Sequence, residues 1–123
     1  MQEKIFTLKM NGYCCSQIIM EIGLELMERE NPELVEAMAG LCDGAKCGRI
    51  CGVVSAANCL MYLADAKNAE NEFIPEYLEW FEESFGGLDC DELLGDDPLA
   101  KMEKCPMFVE GTLTKLCELL ELD

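Results

Sequence analysis

Apolar side chains recur along most of this chain at intervals of three and four, the spacing of one face of an α-helix. Ile18, Ile19, Ile22 and Leu26 make such a stripe between Cys14 and Arg29, with Glu21, Glu25 and Glu28 facing away. Ile74, Tyr77, Leu78, Phe81 and Phe85 repeat it over Phe73 to Phe85, opposite Glu76, Glu79, Glu82 and Glu83. Val109, Leu113, Leu116 and Leu120 do the same for a helix from Pro106 to Leu120. Glu3 to Met10 predicts a short first helix, stopped by Asn11-Gly12. Asn31-Pro32 restarts the pattern, with Asn31 as N-cap and Pro32 at the first helical position. Glu33 and Glu36 suit the positive end of that helix, which Gly40 closes.

The stretch from Cys51 to about Ala66 reads differently. Val53, Val54, Ala57, Leu60, Met61 and Ala64 surround most of the helix circumference, which predicts a central, buried helix. Residues 40–52 form a loop rich in glycine and cysteine, and 67–71 a polar connection. Asp89 to Leu94 is a short helix between Gly86-Gly87 and Gly95, and Asp96-Asp97-Pro98 begins a further turn. Nowhere do β-branched residues alternate with polar ones, so no strand is expected. The expected fold class is all-α: one compact domain, residues 1–123, a bundle of about five to six helices around a central apolar helix at about 51–66.

Charge narrows the function. Nine lysines and arginines stand against 25 acidic residues, a net charge of −16. No nucleic acid is expected as a partner, because phosphate binding needs a basic surface. No membrane insertion is expected either, since no run of 18 apolar residues occurs and anionic lipids would repel the chain. Met1 to Met20 carries Glu3 and Asn11 and lacks a long apolar run, so it does not read as a secretory signal. Histidine is absent from the sequence, which removes histidine bases and histidine metal ligands. Nine cysteines remain. Redox chemistry must then be thiol chemistry, and a metal must be held by thiolate or carboxylate. An odd number cannot pair fully within one chain, and the default setting is a reducing cytoplasm.

The placement of the cysteines is the informative feature. Cys15 opens the second helix, Cys51 the central one and Cys90 the short one, while Cys105 adjoins Pro106 at the expected start of the last. Free N–H groups and the positive dipole end at such positions favour a thiolate, which is both nucleophile and metal ligand. Lys46 and Arg49 flank Cys47 and Cys51, and Lys101 and Lys104 precede Cys105.

These residues resemble a known family of redox-active proteins. That family is named for one cysteine, a Cys-Gly-Ala-x-x-Gly motif and two further cysteines. Gly12-Tyr13-Cys14-Cys15-Ser16-Gln17 is similar to its Gly-Tyr-x-Cys-[Ala/Ser]-Gln opening, which selects Cys15 over Cys14. Cys51-Gly52-Val53-Val54-Ser55-Ala56 occupies the central motif, with Val53 and Ala56 as departures. The stretch from Phe85 to Gly95 supplies Cys90, and Cys105 with Phe108-Val109 matches the last element. The resemblance covers Gly12 to about Val109. It implies a compact helical protein whose Cys15, Cys51, Cys90 and Cys105 act together.

Three readings stay open. In the first, pairs among Cys15, Cys51, Cys90 and Cys105 cycle between dithiol and disulfide, as a thiol-based oxidoreductase or an electron-transfer accessory to a redox or metalloprotein partner. Cys14, Cys47, Lys46 and Arg49 would support the site. In the second, the same four thiolates, with Cys47, hold zinc or an iron–sulfur cluster. In the third, the chain is an acidic helical adaptor with structural cysteines. No Cys-x-x-Cys pair is present to favour either of the first two. Cys117 and Cys59 read as small buried hydrophobes, although the four-residue step Cys51, Ser55, Cys59 would let Cys59 back the site. Cys42 lies in the glycine-rich loop, where a role as simple core is less natural. A homodimer through an amphipathic helix is compatible with the pattern.

Overall fold

The computed structural model describes residues 2–95, 97 and 99–122, Lys101 by its backbone alone. Among these, seven α-helices of five or more residues follow in order: α1 (Gln2–Met10), α2 (Cys15–Leu26), α3 (Pro32–Ala37), α4 (Gly52–Ala64), α5 (Ile74–Phe85), α6 (Cys90–Leu94) and α7 (Ala100–Leu119). The all-α class holds, and the described residues contain no strand, only an isolated antiparallel bridge between Ile50 and Asp89.

Capping explains most boundaries. Cys14 precedes α2, and its N–H donates to Gln17 Oε1 at 3.1 Å. Asn31 Oδ1 accepts from the Leu34 N–H at 3.1 Å, and Pro32 follows where its missing donor costs nothing. α2 ends at Leu26, three residues before the expected Arg29, because Glu28 turns left-handed at φ 58° and Arg29 N–H folds back to Leu24 O. The polar connection expected at 67–71 is helical instead. Asp65 Oδ1 caps Asn68 N–H at 3.2 Å, and Ala66 and Ala69 continue the winding into α5.

The larger difference lies in α7. It starts at Ala100, six residues ahead of the expected Pro106. Asp97 accounts for this: its Oδ1 accepts from Leu99 N–H at 2.9 Å and its carbonyl from Ala100 N–H. Pro106 therefore sits inside the helix, at a typical cost of about 3 kcal/mol. Burial of Phe108, Val109, Leu113 and Leu116 along the same helix offsets it. The turn expected at Asp96-Asp97-Pro98 falls on residues 96 and 98, which lie outside the described residues.

The central helix is as expected, starting one residue later and ending two earlier. Val53, Ala56, Ala57, Leu60 and Met61 of α4 are wholly buried. α2 packs closely on it through Gly23, where a β carbon would overlap Leu60 Cδ2. α5 and α7 are joined by rings: Phe108 meets Phe85 at 4.9 Å and Phe81 at 5.7 Å between centroids. Beside them the buried Tyr77 hydroxyl and Thr112 hydroxyl share a 3.0 Å hydrogen bond. The Gly23 and Phe108 contacts set three of the helices that carry the chemistry: α2 and α4 through Gly23, α7 through Phe108.

Leu60 is fully buried, so its Cδ atoms would have to shift within a packed core to admit a β carbon at Gly23. Gly23→Ala should therefore lower stability by about 1–3 kcal/mol in urea unfolding. Adding Leu60→Val should recover part of that loss.

Candidate functional site

Two short backbone hydrogen bonds bring the starts of α4 and α6 together. Cys51 N–H donates to Leu88 O at 2.8 Å, and Cys90 N–H donates to Arg49 O at 2.6 Å. The loop before Cys51 can lie that close because Gly48, at φ 75°, has no side chain; a β carbon there would run into the Asp91 carboxylate. Lys104 Nζ, from α7, donates to Leu93 O near the end of α6 at 3.2 Å. α2 delivers Cys15 from its first turn.

The result is a cavity of about 370 Å³. Cys14, Cys15, Cys42, Cys51, Cys90 and Cys105 all line it, among Ile5, Ile18, Leu94, Met102, Pro106 and Val109. All four cysteines selected from the sequence thus face one space, of a size suited to a small molecule. They also interact. Cys105 raises the pKa of Cys15, as does the charge of Cys51; Cys51 in turn is raised by the charges of Cys105 and Cys90.

Helix starts position three of the four. Cys51 is the N-cap of α4, and Cys15 and Cys90 are the first residues of α2 and α6. Cys105 is different: with α7 beginning at Ala100, it lies in the second turn. The expectation of a thiolate is also reversed. The hydrogen bond to Cys105, then burial, then the charges of Cys105 and Cys51 push Cys15 far above the usual thiol range, against a small lowering from Lys9. Burial pushes Cys51 up to about 11, although the N–H groups of Val53 and Val54 pull the other way. Helix ends do favour the anion here, but desolvation outweighs them.

A second pair was not foreseen. Cys14 and Cys42 are joined as a disulfide, their Cα atoms 6.3 Å apart. Ser16, fully buried, sits against both: its hydroxyl oxygen lies 2.9 Å from Cys42 Sγ and 3.4 Å from Cys14 Sγ. Its proton goes to Met38 O at 2.6 Å. Adjacent cysteines hid this pairing, since only one of Cys14 and Cys15 was expected to face the site. In fact both line the cavity, Cys14 just before the helix and Cys15 within it.

Other expected participants lie elsewhere. Cys47 is exposed, its Sγ 3.4 Å from Gly44 O, and does not line the cavity; nor do the exposed Lys46 and Arg49. Lys9 is the basic residue on the wall. The Lys101 side chain is outside the described residues. Cys59 is exposed rather than buried and does not line the cavity; Cys117 is half-buried. Among the described residues, no three Cys, Asp or Glu side chains adopt an arrangement that could hold a metal ion.

The chain matches a family model described as "Putative redox-active protein (C_GCAxxG_C_C)" over residues 13–119. No curated protein and no solved structure matches it. The order Gly-Cys-Ala-x-x-Gly in that description shifts the expected register by one residue. Ile50 and Ser55 stand at its two glycines and Gly52 at its alanine, so Val53 and Ala56 are not the departures.

The raised Cys51 pKa carries a stability consequence. Below pH 9 Cys51 is neutral whether folded or not. Between pH 9 and about 11 the unfolded thiol ionises first, so folding stability falls as pH rises through that window. Cys51→Ser should flatten the fall by up to about 3 kcal/mol in urea titrations. Cys51 alkylation in native protein should keep climbing to about pH 11.

Proposed function

The chain belongs to the C_GCAxxG_C_C family, and on that premise we propose that it works by thiol–disulfide exchange within the cysteine cavity. The observation that carries this reading is the convergence of Cys15 and Cys105, from separate helices, on one cavity whose wall also holds Cys51 and Cys90. Cys15 and Cys105 are the exchanging pair. As their S–S bond forms they release two electrons and two protons, which a partner disulfide takes up to become a dithiol. Cys51 and Cys90 are the flanking thiols. Their charge opposes a thiolate at a neighbouring sulfur.

High resting pKa values suit this role. A neutral, buried thiol resists adventitious oxidation, because the thiolate is the reactive form. Removing a proton from the Cys15–Cys105 pair is the step that arms it. Lys9 is the group on the cavity wall whose charge eases that step for Cys15.

Mild oxidation of the protein with diamide should produce a Cys15–Cys105 cross-link, seen as a further loss of about two daltons beyond the Cys14–Cys42 bond. Cys15→Ser should leave Cys105 open to alkylation under the same conditions, and Cys105→Ser should leave Cys15 open. Absence of any cross-link among Cys15, Cys51, Cys90 and Cys105 in the folded protein would overturn the reading.

A further inference from the structure

Neither Cys14 nor Cys42 belongs to the four-cysteine pattern, yet the chain is shaped to hold them together. Position 52, where the family pattern has alanine, is Gly52. A β carbon there would lie 2.8 Å from Leu41 O and 3.4 Å from Cys42 Cα. The backbone at 41–42 could not approach α4 in this way over an alanine. Gly52 itself lines the cavity beside both sulfurs.

The two sulfurs are not equivalent. Cys14 is half-buried at the cavity wall, whereas Cys42 is only 5% exposed. Ser16 Oγ is closer to Cys42 than to Cys14, at 2.9 Å against 3.4 Å. In the disulfide neither sulfur carries a proton, and the Ser16 proton is directed to Met38 O. Rotation about the Ser16 C–O bond would redirect it toward Cys42 Sγ.

We propose that Cys14–Cys42 is a second redox centre, opened by a small thiol that enters the cavity and attacks Cys14 Sγ while Ser16 receives Cys42 as the leaving thiolate. This deepens the thiol–disulfide reading and rests on it. The incoming thiolate forms a new S–S bond with Cys14, the Cys14–Cys42 bond breaks, and the electron pair leaves on Cys42. A second molecule of the small thiol then displaces Cys14 from the mixed disulfide. The small thiol is oxidised to its own disulfide and the cysteine pair is reduced, two electrons in all. A hydrogen bond from Ser16 lowers the energy of the departing anion, which speeds its departure. Ser16 acts here as a positioning residue for the leaving sulfur.

The probe is β-mercaptoethanol, added to the disulfide form at pH 8, quenched with acid, alkylated with iodoacetamide and mapped by peptide mass. Early time points should show mercaptoethanol on Cys14 and the alkyl group on Cys42. Ser16→Ala should open the disulfide about tenfold more slowly, the effect of losing one charge-assisted hydrogen bond. It should also move Cys42 alkylation to higher pH with the helical circular dichroism unchanged. The adduct on Cys42, or equal rates and pH profiles in the two proteins, overturns the proposal. The adduct position in the unaltered protein decides the matter even where Ser16→Ala fails to fold. Cys105→Ser separates the two readings, because no Cys15–Cys105 bond can form in it. The same adduct on Cys14 is expected there; its loss would mean that the protein's own thiols open the bond, and would overturn the role given to the small thiol.

Discussion

The closeness of α2 and α4 is the constraint on which the rest depends. With only a hydrogen at Gly23, the two helices pack near enough for Leu60 to fill the space between them. Both helices begin at the same cavity, so their packing sets where Cys15 and Cys51 stand. The pair Cys51 N–H to Leu88 O and Cys90 N–H to Arg49 O then adds α6 without needing a long helix to place Cys90. The ring cluster of Phe81, Phe85 and Phe108 fixes α7, and with it Cys105 three residues earlier. Cys15, Cys51, Cys90 and Cys105 are thus each held by a different helix.

The electrostatics of the cavity come from a contest between two effects of opposite sign. Helix ends offer N–H groups that favour a thiolate, and those of Val53 and Val54 pull the Cys51 pKa down. Removal from water disfavours the same anion, and neighbouring thiols add repulsion. Burial wins at Cys51, and at Cys15 the interaction with Cys105 leads and burial adds to it. The chain reaches −16 overall, but its acidic side chains lie mainly on the outer helix faces. The cavity instead is mostly sulfur and aliphatic carbon, with Lys9 and Asp43 as its charged lining residues.

Periodicity made the core legible from sequence. Ile18, Ile19, Ile22, Tyr77, Phe81 and Leu113 are all buried where their spacing puts them. The four-cysteine set was legible as well, from its resemblance to a family and from the helix starts at Cys15, Cys51 and Cys90. What failed depended on contacts distant in sequence or on competing local signals. Pro106 looks like a helix start, but Asp97 caps the chain earlier and the burial of Phe108 and Val109 carries the helix through the proline. Cys59 sits in an apolar sequence, yet its side chain is exposed. The Cys14–Cys42 bond joins positions 28 apart, and nothing in local spacing signals it. Lys9 reached the cavity because α1 packs beside α7, a tertiary fact that its own sequence neighbourhood does not contain.

The Cys14–Cys42 bond has a meaning for the unfolded chain as well as for the cavity. It closes a loop of 28 residues, and such a closure restricts the disordered ensemble enough to favour the native state by about 3–4 kcal/mol. That is a large part of the margin of about 5–15 kcal/mol by which small domains stay folded. Electron transfer to this bond is therefore coupled to the entropy of the whole polypeptide. The oxidised chain has fewer shapes to escape into, and the reduced chain, with the same helices and the same core, stands nearer its melting point.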